Sequence, residues 1–226
     1  MDRESLFKKA ERKDIPLKIA LIGSSGSGKT YSALVLAKGI GGKTAVLDTE
    51  NKRALHYADK FDYFHLPFTA PYNPERFVNA IKAAETERIT NLIIDSASHE
   101  WIGKGGILDL HSAMTGNSFA NWGKLTPRHN DFLQAITDSP MNIICTIRGK
   151  DEYVLEETNG KQKPTKVGLG AQQRDGIEFE QTVSLMIDMN HTITCMKDTT
   201  GVFSDGGVVI IKEEHGVKLA KWSKGE

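Results

Sequence analysis

Eight consecutive residues, Gly23-Ser-Ser-Gly-Ser-Gly-Lys29-Thr30, constrain this chain more than any other stretch. They satisfy G-x-x-x-x-G-K-[ST], the Walker A pattern, at every fixed position. An apolar run (Ile15 to Ile22) precedes them and a helix-like stretch (Tyr31 to Ile40) follows, so the context reads strand, loop, helix. Glycines at these places let successive backbone N–H groups converge on phosphate oxygens, and the helix that follows adds the positive end of its dipole. Lys29 is placed to reach β- and γ-phosphates, and the Thr30 hydroxyl to ligate Mg²⁺. Gly23, Ser24, Ser25, Gly26, Ser27, Gly28, Lys29, Thr30 and Tyr31 are therefore the candidate nucleotide-binding residues. An ordinary Gly/Ser-rich turn would have no need of the strand before it or the helix after it. The expected ligands are a nucleoside triphosphate and Mg²⁺.

At 226 residues the chain is long enough for a full sheet flanked by helices. Its 29 basic and 29 acidic residues balance, so bulk charge announces no nucleic-acid binder and any such role must rest on local clusters. Cys145 and Cys195 are too few and too far apart for a disulfide framework or a zinc site; lying in apolar runs, they are expected to be reduced core residues. The lead, residues 1–14, is charged and is no signal-peptide core, and no apolar run approaches the length of a membrane span. A cytoplasmic protein without membrane contact is expected, with a charged lead (1–14) and one domain (15–226).

Strand-like and helix-like stretches alternate. After the phosphate loop and its helix, TAVLDTE is a short apolar run that stops on acids, as a buried parallel strand does at its carboxyl end. Residues 61–68 resemble another short strand. Asn73-Pro74 opens a helix to about Arg88 with Phe77, Ile81 and Ala84 on one face. NLIIDSAS is the next buried strand. From Ser98 to Asn117 glycines break the pattern, and helical spacing returns from Pro127 to Asp138 before the strand MNIICTIRG. Residues 149–170 are polar, lack apolar periodicity and read as a long loop. TVSLMIDM and HTITCMK follow around a tight turn at Asn190, and the tail predicts a short helix packing Val217 and Trp222. The fold class is α/β, a P-loop NTPase with a mostly parallel sheet and an antiparallel pair at one edge.

The acids ending the other strands narrow the chemistry. Asp95, at the end of NLIID, is the natural Walker B carboxylate, holding Mg²⁺ or its water. Glu50 ends TAVLDTE, where a carboxylate could orient the attacking water; Asp48 competes for that role. A GTPase would need N/T-K-x-D, which is missing, and Asp198-Thr-Thr-Gly201 lies too late to be a switch. A nucleotide kinase would want an arginine-rich lid, whereas the loop after Arg148 carries lysines.

The order of P-loop, LDTEN, NLIIDSAS and IICTIRGK resembles the RecA-type recombinase ATPase core. Trp122-Gly123…Pro127-Arg128, Thr146-Ile-Arg148, Gln173-Arg-Asp-Gly-Ile-Glu-Phe-Glu180 and Lys197-Asp-Thr-Thr-Gly201 narrow the resemblance to small phage-encoded RecA-core ATPases of the Sak group, over roughly residues 15–205. It implies a RecA-like domain in which Glu50 positions water, Asp95 supports the metal, and Thr146 or Arg148 senses the γ-phosphate. It also implies that Lys197 reaches a neighbouring subunit's ATP, with Arg174 as a second candidate for that cation. A paired lysine finger is not expected, since Thr199 stands where a second lysine would be. ATP hydrolysis, a homo-oligomer with ATP at its interfaces, and single-stranded DNA as partner follow from the same resemblance.

On the residues alone the DNA reading is local. Lys150, Lys161, Lys163 and Lys166 with Tyr153 suit phosphate neutralisation and base stacking, as do Lys104 and Trp101. Asp151, Glu152, Glu156 and Glu157 nearly cancel that charge, so on the residues alone a merely solvated loop is the better reading, and the resemblance is what points to DNA. His99 and His129 lack metal-ligand spacing. A phosphotransferase acting on a small acceptor, and an ATP-switched assembly module without DNA, remain the alternatives.

Overall fold

The computed structural model describes residues 8–158, 161–174, 177, 180–204 and 209–226, and of residues 151–169 the backbone alone. The strands are β1 (Lys18–Gly23), β2 (Thr44–Asp48), β3 (Phe64–Pro67), β4 (Asn91–Asp95), β5 (Asn142–Thr158), β6 (Lys161–Ala171), β7 (Val183–Ile187), β8 (Thr192–Asp198) and β9 (Val209–Ile210). The helices are α1 (Lys29–Ile40), α2 (Pro74–Thr86), α3 (Ser98–Ile102), α4 (Ile107–Ser112), α5 (Ser118–Asp138) and α6 (Glu213–Lys224). The strands lie in the order β3-β2-β4-β5-β1-β7-β8-β9. From β3 to β7 all neighbours are parallel, and β7, β8 and β9 are antiparallel, as the alternating pattern and the closing tight turn predict.

Period-two alternation divides the core into two layers. Ile19, Leu21, Val46, Ile93 and Ile144 face α1 and α6, whose Leu34, Leu36 and Leu219 are buried against them. Ala20, Ile22, Leu47, Leu92 and Ile143 face Phe77 and Ile81 of α2 and Phe132 and Ile136 of α5. Asn73 caps α2 through its side chain, accepting from Arg76 N at 3.1 Å with Pro74 at the first position, and Asn117 caps α5 in the same way. Helices α1 and α6 cross at backbone contact: a Cβ on Gly216 would stand 2.4 Å from the Leu36 carbonyl oxygen, so only glycine fits there.

Four expectations are corrected. Residues 149–170 are a β-hairpin, not a loop: β5 continues past the sheet and pairs antiparallel with β6 from Gly149↔Ala171 to Thr158↔Lys161. Charged residues on both strands hid the pairing, while the signal was the Asn159-Gly160 dipeptide between them in the sequence. The helix expected from Pro127 starts nine residues earlier, at Ser118, and carries Pro127 inside it, while the broken stretch before it holds α3 and α4. Cys145 is buried but Cys195 is exposed, because β8 has β9 beside it only at Thr192 and Ile193. In α6 the buried residues are His215, Gly216 and Leu219; Trp222 packs on the core, and Val217 faces outward.

Candidate nucleotide site

The carboxyl ends of β1, β2 and β4 lie level with Thr146–Arg148 of β5. Asp48 is paired with Asp95 across β2–β4, Asp95 with Thr146 across β4–β5, and Gly23 with Arg148 across β1–β5. Because β5 is inserted between β1 and β4, Thr146 stands between the phosphate loop's strand and Asp95. A hollow of about 950 Å³ opens over this edge, lined by Gly26, Gly28, Lys29, Thr30, Tyr31, Glu50, Arg53, Tyr57, Asp95, Arg148 and His191 among others. A second hollow, about 510 Å³ between α2 and α5, holds none of the expected site residues.

Asp95 is the centre of the buried half. Its Oδ2 accepts from the Thr30 hydroxyl at 2.8 Å and its Oδ1 from the Thr146 hydroxyl at 2.5 Å. Burial pushes its carboxyl above the usual range, and the two hydroxyl bonds oppose that shift. Lys29 donates to the carbonyls of Gly23 and Ser24, each at 2.8 Å; burial lowers its pKa, and Asp95 and Glu50 act in the other direction. Gly26 and Gly28 have φ of 87° and 91°, the left-handed backbone a phosphate cradle requires. The Thr30 hydroxyl and the Asp95 carboxylate are hard oxygen donors side by side, a set that fits Mg²⁺. A cation held there would neutralise phosphate charge. Thr146 is fully buried and lies behind Asp95 rather than on the hollow's wall, so it acts on the site through that carboxylate.

Glu50 is held differently. Arg148 grips both its oxygens, with Nε on Oε1 at 2.9 Å and Nη2 on Oε1 and Oε2 at 2.7 Å each. Arg53 adds a longer contact at 3.8 Å. To take a proton from water, Glu50 would use the remaining lone pair on Oε2 or release an oxygen from this fork. Asp48 does not compete for that task. Its buried carboxylate accepts from Glu50 N at 2.7 Å and Ala54 N at 3.1 Å, and meets His65 Nε2 at 3.0 Å, so it shapes the turn that carries Glu50.

Two groups of residues escaped the sequence reading. Tyr57 and Phe61 meet Tyr31, itself an expected nucleotide-binding residue, edge to face, with ring centroids 5.7 and 5.4 Å from its own, and the two tyrosines line the hollow beside the phosphate loop. Such a wall suits a flat nucleobase. Met189 and His191, in the turn after β7, lie against the loop itself. No motif flags either group, because only folding brings them to Gly26 and Gly28.

The remaining candidates are placed as follows. Lys197 pairs with Ser184, which is level with Ala20, so it sits away from its own chain's hollow. Arg174 donates its backbone N–H to the Gln173 side chain at 2.9 Å and does not line the hollow either. Asp198 closes its own turn, accepting from Thr200, Gly201 and Phe203 N–H groups. Arg128 clamps α5 to α2 through Glu75. His99 meets the Thr49 hydroxyl at 2.6 Å and stacks on Tyr72, and burial lowers its pKa. His129 pairs with buried Glu100 at 3.0 Å, whose carboxyl burial pushes up. Trp101 stacks on Trp122. The side chains of Tyr153, Lys161, Lys163 and Lys166, and residues 1–7, 175, 176, 178 and 179, lie outside the described residues. Among the described residues no helix is long and apolar enough to cross a membrane.

A family model described as an AAA domain matches residues 15–218. No curated protein gives a significant match. The matched span contains the cradle, Glu50, Asp95, Thr146 and Arg148, and the chain belongs to this AAA-type family of P-loop ATPases.

Proposed function

We propose that the chain hydrolyses ATP with Mg²⁺ while bound to single-stranded DNA, as a homo-oligomeric recombination protein of the phage type that promotes annealing or strand exchange. In this reading Lys29, Thr30 and Asp95 hold the triphosphate and metal, and Glu50 activates water. Arg148 contacts the γ-phosphate, and Lys197 serves a neighbouring subunit's site. The observation that carries it is the course of β5. The strand passes Thr146 and Arg148 within the site and continues without a break into the hairpin whose sequence holds Lys150, Lys161, Lys163 and Lys166. A polyanion on that hairpin would act directly on the residue that grips Glu50.

The test is ATP turnover with and without single-stranded DNA, with particle size measured in the same buffers. DNA should raise the rate, and Lys29→Ala should abolish it. An unchanged rate, with no DNA retained at low salt, rejects the DNA reading and leaves an ATPase. The bidentate grip on Glu50 favours one second reading, an ATP-switched assembly module with negligible turnover. That module would assemble on ATP alone, and Glu50→Gln would leave its behaviour unchanged.

A further inference from the structure

We propose that His191 is a positioning residue of the nucleotide site, whose ring holds the Ser27–Gly28 peptide so that the Gly28 N–H faces the phosphates. The inference rests on the reading of the 950 Å³ hollow as a nucleotide site.

The turn between β7 and β8 is built for a fixed shape. Asp188 accepts from Asn190 N at 2.8 Å and Thr192 N at 2.9 Å on one oxygen, and from the Thr192 hydroxyl at 2.7 Å on the other. Its own N–H donates to Thr192 O at 3.0 Å, and His191 N–H donates back to Asp188 O at 3.1 Å. These bonds hold His191 at φ 64°, a left-handed conformation uncommon outside glycine, though histidine tolerates it better than most residues. The turn then reaches the phosphate loop twice. The Ser24 hydroxyl meets Met189 Sδ at 3.3 Å, and His191 Nδ1 lies 2.9 Å from the Ser27 carbonyl oxygen.

The second contact has a defined polarity. A carbonyl oxygen only accepts, so Nδ1 carries the hydrogen, in the neutral ring and in the imidazolium alike. A trans peptide points its C=O and its following N–H in opposite directions. Tying the Ser27 carbonyl to the ring therefore turns the Gly28 N–H to the other side. That donor belongs to the set a phosphate cradle needs at the start of its helix. Ser27 cannot hold the plane itself: its hydroxyl is buried and has no partner among the described residues. Gly28 completes the fit: a Cβ there would stand 3.0 Å from His191 Nδ1 and push the ring back by a few tenths of an ångström, and its φ of 91° already favours glycine.

Binding of Mg²⁺–ATPγS by titration calorimetry tests this. His191→Gly removes the ring without strain at positive φ and should weaken binding about five- to tenfold, the worth of one hydrogen bond. His191→Asn puts an amide N–H where Nδ1–H stands and should recover affinity to within about twofold. His191→Gln places its amide at the Nε2 position and should not recover it; it replaces the glycine variant if that one fails to fold. The wild-type advantage should persist at pH 8 as well as at pH 6, since the Nδ1 donor is present in either form of the ring. Unaltered binding by His191→Gly and His191→Gln overturns the proposal, as does an asparagine variant as weak as they are. An advantage confined to the lower pH also overturns it, since an imidazolium acting on the phosphate would then explain the effect. Lys29→Ala separates the levels: if it binds like wild type, the nucleotide site itself is misassigned.

Discussion

Asp95 and Glu50 are carboxylates beyond adjacent strands, and the protein holds them in opposite ways. Asp95 is sealed from solvent, with one oxygen on each of two short neutral hydroxyls that are themselves fixed by helix and strand. Glu50 is partly open, its side chain 14% exposed, and both oxygens are taken by a guanidinium that lines the same hollow and carries 38% exposure. Neutral donors orient a metal-binding oxygen without competing for its charge. A guanidinium neutralises the carboxylate it grips, yet it prefers a phosphate of higher charge when one is offered. The Asp95 side of the site is thus preset, whereas the Glu50 side is held by a partner that a phosphate could draw away.

Four substitutions probe that contrast, taken by their effect on turnover. Lys29→Ala should abolish hydrolysis by weakening Mg²⁺–ATP binding about 100-fold or more, as charge-assisted contacts are lost; calorimetry checks it. Glu50→Gln should cut turnover by about 10²–10⁴, the usual worth of a general base, with nucleotide affinity kept within about threefold. If affinity fell equally, Glu50 would belong to the preset half and the comparison would break. Thr146→Val should lower turnover about tenfold and cost about 1–3 kcal/mol of stability by leaving Asp95 Oδ1 short of a buried donor. Arg148→Met, at the exposed pair, should cost about 1 kcal/mol or less in the same chemical melts. Equal losses would mean that the two acids are held alike.

A fifth substitution lies at the other end of β1 and should leave turnover untouched. Lys18 is buried and donates to the carbonyls of Ser139 and Met141, each at 2.7 Å. Burial lowers its pKa from 10.5 to about 8. Between these values the unfolded chain holds more protons than the folded one, so this lysine's contribution to stability rises with pH across that window and is flat below about 8, where both states are protonated. Wild type should therefore gain on Lys18→Met between pH 8 and 10.5, by at most about 3 kcal/mol at 1.36 kcal/mol per unit. A flat difference would show that the two carbonyls fully compensate for lost water.

The parts of the site legible in the sequence are those whose chemistry demands residues close together in the chain. A phosphate cradle needs its glycines, lysine and threonine within one turn, and a buried parallel strand ending on an acid announces Asp95 and Glu50. Thr146 was placed on the right strand, but its partner was not legible, because hydroxyl-to-carboxylate contact across β4 and β5 depends on register. The hairpin was missed because the sequences of its two strands are polar and carry no apolar alternation, so periodicity had nothing to report. Tyr57 sits in a short 3₁₀ turn and His191 in a four-residue reversal; both join the site through tertiary folding alone. Cys195 misled because alternation of apolar residues looks the same on an edge strand as within a sheet.

Strand β5 is also a beam. Residues 143–146 are clamped between β1 and β4 and residues 147–148 pair with β1, while, among the described residues, 149–158 pair with β6 alone. The overhang is about 33 Å at 3.3 Å per residue. A cantilever of that length converts a small sideways load near Thr158 into torque at its root, and the root is Arg148. A dye or tether attached near the far end would sense rotation at the nucleotide site from a distance, leaving the chemistry itself unlabelled.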